Sequence, residues 1–349
     1  MSETSIRAMD FARWRDDSAL HELLTRAADP PTPAALQALL EQCATLEAIG
    51  AFDQGGALIG AAFWHRVHDE AVEIEYLAVL TPHRGLGTEL VRAVQQACGT
   101  HVIARTDHDA LEFYQRRGFI CVPTATDPRW PQTPRFLCLL PCQELLATQP
   151  KGPSGFELVE GFAQPGIVQI HPPQERWPED FARLRALIDR ALGDSALAIE
   201  HVGSTAVPGL PAKNVIDVVL LVADGDAEER YAPSLQDAGL LFWHREPGWY
   251  AHRMFRPRPH ESMPVANIHV FSLGSTEPLR MLLFRDYLRT HGTEREAYAA
   301  TKRQAAERLA QLRGDEGEVM EYNRFKEPFI RELGARVHAS AGLPRGPRS

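Results

Sequence analysis

Two glycines one residue apart, Gly85 and Gly87, stand where the hydrophobic pattern of this chain changes period. Before them, Glu73-Ile-Glu-Tyr-Leu-Ala-Val79 reads as part of a strand over 71–80. After them, Gly87 to Cys98 reads as a helix. A strand that becomes a helix through two glycines exposes backbone N–H groups at the helix start. Together with the helix dipole, these favour an anion by about 0.3 to 2 kcal/mol. The neighbouring pattern fits the same architecture. Ala12 to Leu24 and Pro33 to Leu40 have helical spacing, strands are expected at Leu46 to Phe52 and Ala57 to His65 around a Gly55-Gly56 turn, a strand at 102–106 precedes a helix over 110–117, and two further strands lie near Ile120 and Phe136. This order predicts a central mixed sheet with helices on both faces, within an α/β (α+β) class.

With 349 residues the chain exceeds one ordinary core, so two domains are expected. Thr148-Gln-Pro-Lys-Gly-Pro-Ser-Gly155 concentrates turn formers between two periodic segments. We therefore read 1–147 as a first domain, 148–155 as a linker, 156–337 as a second domain with a mixed sheet and C-terminal helices, and 338–349 as a disordered tail. A net charge of -9 speaks against a dedicated polyanion-binding protein, so no nucleic-acid partner is expected. No apolar run reaches the roughly 18 residues that span a bilayer, and Met1 to Arg7 lacks the features of a secretory signal. A cytoplasmic protein without a membrane partner is the expectation. All five cysteines lie in the first half without a Cys-x-x-Cys pair, which predicts reduced thiols rather than disulfides or zinc ligands.

The turn Arg84-Gly85-Leu86-Gly87-Thr88 and the segment Ala110-Leu-Glu-Phe-Tyr-Gln-Arg-Arg-Gly-Phe119 together resemble the two signatures of the GNAT superfamily of acetyl-coenzyme-A-dependent N-acyltransferases. Glu89 departs from that pattern, standing where the family carries a small residue, and Asp107 stands in a region where the family often carries Asn. The resemblance implies acetyl-CoA as cofactor and a small-molecule or peptide amine as acceptor. It implies coenzyme contacts from Leu77, Val79, Arg84, Gly85, Leu86, Gly87, Thr88, Asp107, Ala110 and Phe113. Tyr114 takes the position of the general acid that protonates the departing thiolate. A phenol of pKa about 10 is protonated at neutral pH, and a free thiol ionises near about 8.5. Acyl transfer also needs a proton acceptor. Glu73 and Glu75 lie two apart on the strand before the turn, hence on one face, and Glu75, the nearer to the turn, is the expected base or amine-orienting carboxylate, with Glu73 as the alternative. The same alternation also fits a solvent-facing strand, as Phe113 and Tyr114 also fit a core.

In the second half, Ala198-Ile-Glu-His-Val-Gly-Ser-Thr205 leads from a strand into Gly203-Ser204, followed by a turn-rich stretch and an apolar strand interrupted by Asp217. With Trp177, Phe284-Arg-Asp-Tyr-Leu-Arg289, Tyr298-Ala-Ala-Thr-Lys302 and Tyr322-Asn-Arg-Phe-Lys326, this resembles the GrpB family over roughly 167–330, whose fold is similar to nucleotidyltransferases of the DNA polymerase beta type. The resemblance implies a nucleotide or phosphometabolite held by Gly203, Ser204, Lys213, Arg285, Lys302 and Lys326, with Asp217 as a ligand for Mg2+. Val219 occupies the position where an active nucleotidyltransferase carries its second acid. Glu200, Glu246 and His269 are candidates to assist, and a two-metal reaction needs several carboxylates. Lys302 and Lys326 also each lie four residues after a tyrosine, which fits a surface pair beside a packed ring. A bifunctional acetyl- and nucleotidyltransferase and a non-catalytic docking scaffold are the alternatives for the second domain. The oligomeric state is not legible.

Overall fold

The computed structural model describes residues 4–80, 85–126, 132–148, 155–160, 168–260, 263–314 and 318–341. They divide into two compact units, one of residues through Cys121 with Leu137–Leu145, the other of Val122–Phe136 and Leu146–Ala341. Each is taken by itself.

The first part of the chain runs β1 (Ser5–Ala8), α1 (Phe11–Trp14), α2 (Ser18–Ala28), α3 (Pro33–Cys43), β2 (Glu47–Phe52), β3 (Leu58–His68), β4 (Ala71–Val79), α4 (Leu86–Cys98), β5 (His101–Thr106), α5 (His108–Gln115), β6 (Ile120–Thr124), β7 (Arg135–Leu140) and α6 (Gln143–Ala147). Its sheet has the order β1-β2-β3-β4-β5-β7-β6. The first four strands pair antiparallel and β4 pairs parallel with β5, so the sheet is mixed, as expected. Two details differ from the sequence expectation. The helix expected over Ala12 to Leu24 is interrupted, because Asp17 turns extended and caps a new start by accepting from the Ala19 N–H at 2.8 Å. The edge strand β1 is four residues long and mostly exposed, which leaves no periodic signal to read. Leu20, Leu23, Leu24, Leu39, Leu40, Phe52 and Phe63 form the core between α2, α3 and the sheet.

The second part contains β8 (Glu157–Leu158), α7 (Arg176–Leu192), β9 (Ala198–Val202), β10 (Ile216–Val222), α8 (Ala232–Asp237), β11 (Leu240–Glu246), β12 (His252–Pro257), β13 (Ala266–Ser272), α9 (Thr276–Thr290), α10 (Gly292–Arg313) and α11 (Val319–Ser340). The sheet order is β8-β11-β12-β13-β10-β9, with β10 and β13 parallel and the other registered pairs antiparallel. One core packs Leu184, Ile188, Val218, Leu220, Phe255, Ile268 and Val270 between α7 and the sheet. The expected tail is helical at its start, since α11 continues to Ser340 around the buried Val337; the rest of that tail, and most of the expected linker, lie outside the described residues. All five cysteines are unpaired. Among the described residues no helix is long and apolar enough to cross a membrane.

Candidate functional sites

In the first unit, β4 pairs with β5 only from Ala71↔His101 to Ile74↔Ala104, whereas it pairs with β3 as far as Val79. Among the described residues the β5-facing edge of β4 has no registered partner from Glu75 onward, which is where the two parallel strands stop pairing. Leu77 and Val79 line this stretch and are only half-buried. The β3 register steps from Phe63↔Tyr76 to Trp64↔Ile74, which leaves Glu75 as the bulged residue. The bulge breaks the strict alternation behind the one-face expectation. Even so, ligand atoms of His65, Glu73 and Glu75 lie within 4.8 Å of one another.

Glu73 is 3% exposed. Burial pushes its carboxyl up to about 7; Arg105 pulls against that shift and the charge of Glu75 adds to it. Arg105 reaches Glu73 at 3.4 Å from β5, one residue beyond the last registered pair. Glu75 instead meets His65 Nδ1 at 3.5 Å. The two acids are thus neighbours with different surroundings, one enclosed and one open.

The glycine turn closes the other end of β4. Gly85 has φ +107, a left-handed conformation that favours glycine, and it begins α4 without a side-chain cap. By contrast α2, α3 and α5 are capped by Asp17, Thr32 and Asp107. Leu86 is buried, and Arg84 lies outside the described residues. Gly87 is required for another reason: a Cβ there would stand 3.2 Å from the Phe113 ring. Phe113 therefore packs beneath the turn. Arg117, which carries no role in the sequence expectation, lies 3.9 Å from that ring and donates to Thr88 Oγ1 at 2.5 Å and to the Phe113 carbonyl at 2.8 Å. It brings a cation to the start of α4 from the C-terminal end of the neighbouring helix. Asp107 spends an oxygen on the N–H groups of Asp109 and Ala110, at 3.0 and 3.5 Å.

Tyr114 is buried, edge-on to Phe113 and Phe119. Burial raises its phenol above the ordinary value, with Cys138, Cys121 and Asp107 adding to the shift. Its nearest charged and polarisable neighbours are thus on β6, β7 and the α5 cap, whereas Glu73 and Glu75 stand on β4.

In the second unit, Gly203 and Asp217 are brought together closely. Gly203 has φ +68 and ψ -167, and a Cβ there would collide with Asp217 Oδ2. Asn267 Nδ2 donates to Asp217 Oδ1 at 2.9 Å, and His269 Nε2 lies 3.9 Å from the same oxygen. Burial raises the Asp217 carboxyl, but His269, Asn267 and Lys213 outweigh it and hold the group below its ordinary value. Val219 is 1% exposed and offers no ligand.

Lys213, Lys326 and Arg256 feel the charge of this acid, and Lys302 lies close enough to Lys326 to feel its charge. Lys302 Nζ stands 4.8 Å from the Tyr298 ring and donates to the Pro211 carbonyl, Lys326 Nζ stands 4.7 Å from Tyr322, and Lys213 Nζ 5.5 Å from the same ring. The four-residue Tyr-Lys spacing is realised as cation–π contact. Burial pushes Lys302 down to about 7, helped by Lys326 and Arg303. Burial likewise pushes Lys326 down to about 8, Lys213 adding and Asp217 opposing. Ser204 is hydrogen-bonded to Tyr298. Arg256 and Asn267 were not read from the sequence; Arg256 Nε donates to Asn267 Oδ1 at 3.1 Å and stacks 3.3 Å from Trp243. Arg285 is engaged elsewhere: it donates to Glu200 at 2.7 Å, to Asp286 and to the His201 carbonyl at 2.9 Å, so it braces β9 against α9.

Comparison with known proteins accounts for both units. The acetyltransferase (GNAT) family model matches residues 18–119, and the GrpB protein model matches 167–336. UPF0157 protein BH1888 of Halalkalibacterium halodurans is 40% identical over 165 residues, covering 47% of this chain and 80% of that protein. The conserved protein GrpB from Enterococcus faecalis, a crystal structure, is 27% identical, covers 49% of this chain and 98% of its own, and superposes with a TM-score of 0.42. A GNAT family acetyltransferase from Elizabethkingia anophelis with acetyl-CoA bound is 18% identical, covers 40% of this chain and 97% of its own, and has a TM-score of 0.33. The first part of the chain is a GNAT-type acetyltransferase domain. The chain belongs to the GrpB (UPF0157) family through its second part.

Proposed function

We propose that the first unit transfers an acetyl group from acetyl-coenzyme A to an amine of a small molecule or peptide. The observation that carries this reading is the end of β4–β5 pairing beyond Ile74↔Ala104, with the buried Glu73 beside it. The β5-facing edge of β4 from Glu75 to Val79 offers backbone groups to an extended acyl-pantetheine arm. The uncapped start of α4 and Arg117 offer N–H groups and positive charge to its pyrophosphate. Gly85, Leu86, Gly87 and Thr88 form that turn, with Phe113 behind it, and Ala110 opens the neighbouring helix. Glu75 attracts the ammonium form of the acceptor. Glu73, with a carboxyl poised near 7, accepts its proton, which is the range in which a general base works best at neutral pH. The freed amine attacks the thioester carbonyl and the C–S bond breaks. Tyr114 donates to the departing sulfur; complete transfer from a phenol to a thiolate is uphill by about 2 kcal/mol or more, so the hydroxyl acts chiefly as a hydrogen-bond donor.

The test is thiol release from acetyl-CoA by the full chain, screened across amines, aminoglycosides and amino acids. Turnover with any acceptor that is lost in Glu73→Gln supports the assignment. Absence of saturable acetyl-CoA binding by calorimetry removes it.

The second unit we read as a binding module for a phosphorylated small molecule. Lys213, Lys326 and Arg256 act on one acid, Lys302 acts on Lys326, and the lysines, lowered first by burial, would gain from the counter-charge of a phosphate. Mg2+ on Asp217 is the accompanying proposal. Nucleotide titration with and without Mg2+ distinguishes the possibilities. Binding without turnover supports the module, pyrophosphate release makes the chain bifunctional, and neither leaves a docking scaffold.

A further inference from the structure

The second sheet carries a row of polar side chains on one face. His244 is opposite Met254, Glu246 opposite His252, Met254 opposite His269, and His269 opposite Val219, two residues from Asp217. Directly opposed residues share a face and so do residues two apart, so His244, Glu246, His252, His269 and Asp217 all project from the same side across four strands. Three of them converge. Glu246 Oε2 lies 2.7 Å from His252 Nδ1 and 3.3 Å from His244 Nε2, and ligand atoms of the three residues all fall within 4.8 Å of one another. A tetrahedral ion held at about 2.0 to 2.1 Å by nitrogen and oxygen sets its ligand atoms roughly 3.3 Å apart, close to these spacings.

We propose that His244, Glu246 and His252 bind a divalent transition-metal ion of the zinc type. Two imidazoles and one carboxylate are a borderline donor set that suits such an ion and not Mg2+ or Ca2+, which take oxygen ligands. His244 is 5% and His252 1% exposed, so both rings are fixed by the protein. The Glu246 side chain remains 13% exposed and gives an ion its entry and an open position.

A metal would also change one ring hydrogen bond behind the site. His252 Nε2 lies 3.0 Å from His269 Nδ1. In the metal-free chain a neutral His252 gives its one hydrogen from Nδ1 to Glu246, so Nε2 must accept from His269 Nδ1. A metal on His252 Nδ1 reverses the chain. Nε2–H of His252 donates to His269 Nδ1, and Nε2–H of His269 points at Asp217. This is the usual second shell of a metal-bound histidine, with a carboxylate at its far end.

The experiment uses the full chain, stripped with a chelator and titrated with Co2+ followed by its visible d–d absorption, then with Zn2+ in competition. Uptake of one equivalent without a thiolate charge-transfer band is expected. Glu246→Gln and His252→Gln should each weaken binding by more than about 100-fold, and His269→Asn by roughly 10- to 100-fold, the usual range for a change in the group behind a ligand. Circular dichroism of the stripped proteins checks that each variant folds. Where one does not, X-ray absorption at the zinc edge of the loaded wild type decides, with two imidazoles and no sulfur expected. No saturable uptake, a sulfur ligand, or undiminished binding in folded Glu246→Gln overturns the proposal. The last outcome would move the ion to another group such as His65, Glu73 and Glu75.

Discussion

Replacing Glu73 by glutamine should stabilise the first unit at alkaline pH while abolishing its chemistry. Burial, the largest cause, raises the Glu73 carboxyl from 4.5 to about 7. At about 1.36 kcal/mol per unit this is about 3 kcal/mol. Between those two values the native chain holds a proton that the unfolded chain has released, so stability falls as pH rises through this window and levels off above about 7. Glutamine carries no such penalty. The variant should match the wild type near pH 4 and exceed it by about 3 kcal/mol above about pH 8, a net figure that already contains the opposing pull of Arg105. Hydrogen exchange of peptides covering β3, β4 and β5 at the two pH values reads this locally. That choice matters because Lys302 and Lys326, lowered to about 7 and about 8, make stability rise with pH from those values up to the ordinary lysine value of 10.5, an opposite trend that begins where the Glu73 window ends and overlaps the alkaline comparison. They belong to the other unit. Equal exchange free energies for variant and wild type at alkaline pH would refute the reasoning, since Glu73 would then be ionised without penalty.

Tyr114→Phe keeps the ring contacts with Phe113 and Phe119, so acetyl-CoA affinity should hold while kcat falls by about 10²- to 10⁴-fold in an assay limited by chemistry; unchanged kcat would make the residue a packing group. Gly87→Ala places a Cβ 3.2 Å from the Phe113 ring and should destabilise by about 1 to 3 kcal/mol, measured by urea denaturation of the first-unit transition, while weakening coenzyme binding. Gly203→Ala combines a positive φ with a collision against Asp217 Oδ2 and should cost about 2 to 6 kcal/mol by the same denaturation measured on the second unit; a change under about 0.5 kcal/mol would mean the turn relaxes freely. Phosphate-ligand binding near pH 7.5 should take up protons as Lys302 and Lys326 regain charge, seen as a dependence of calorimetric heat on buffer ionisation enthalpy; heats independent of buffer would place the anion elsewhere.

The parts of this protein that were legible in the sequence are those whose causes are local. The Gly55-Gly56 hairpin, the conversion of β4 into α4 through Gly85, and the apolar β10 broken by Asp217 each follow from residues within one turn of the chain. What was not legible depends on partners far away. The bulge at Glu75 exists only in register with β3, and Glu73 differs from Glu75 because the sheet encloses one and leaves the other at an opening. Arg285 looked like a free cation in its motif until Glu200, 85 positions away, took up its guanidinium. Asn267, 50 positions from Asp217, carries no sequence mark that distinguishes it from any strand asparagine. Gly87 was read as room for a ligand, and the packing of Phe113 against it is a contact that spacing alone does not encode.

The surroundings of Asp217 bear on what the second unit can do with a phosphate. A solitary acid in an apolar strand would be costly if nothing met its charge, and that cost could be taken as a demand for a cation. Here the protein already meets part of it, through the Asn267 amide and the positive side chains near it. Metal binding at Asp217 is therefore not forced by the fold. Two-metal phosphoryl transfer needs several carboxylates around its ions. The position two residues along β10 is a buried valine, Glu200 is committed to Arg285, and Glu246 to His244 and His252. What remains around the single acid is cationic and lined by tyrosine rings, an environment in which an anion gains most and a second cation least. Asp217→Asn should accordingly leave phosphate-ligand affinity equal or tighter when Mg2+ is absent, because it removes the one repelling charge. Loss of binding in the variant under those metal-free conditions would show instead that Asp217 contacts the ligand directly through a donor on the ligand, and would redirect the search from phosphates to amines and hydroxyls.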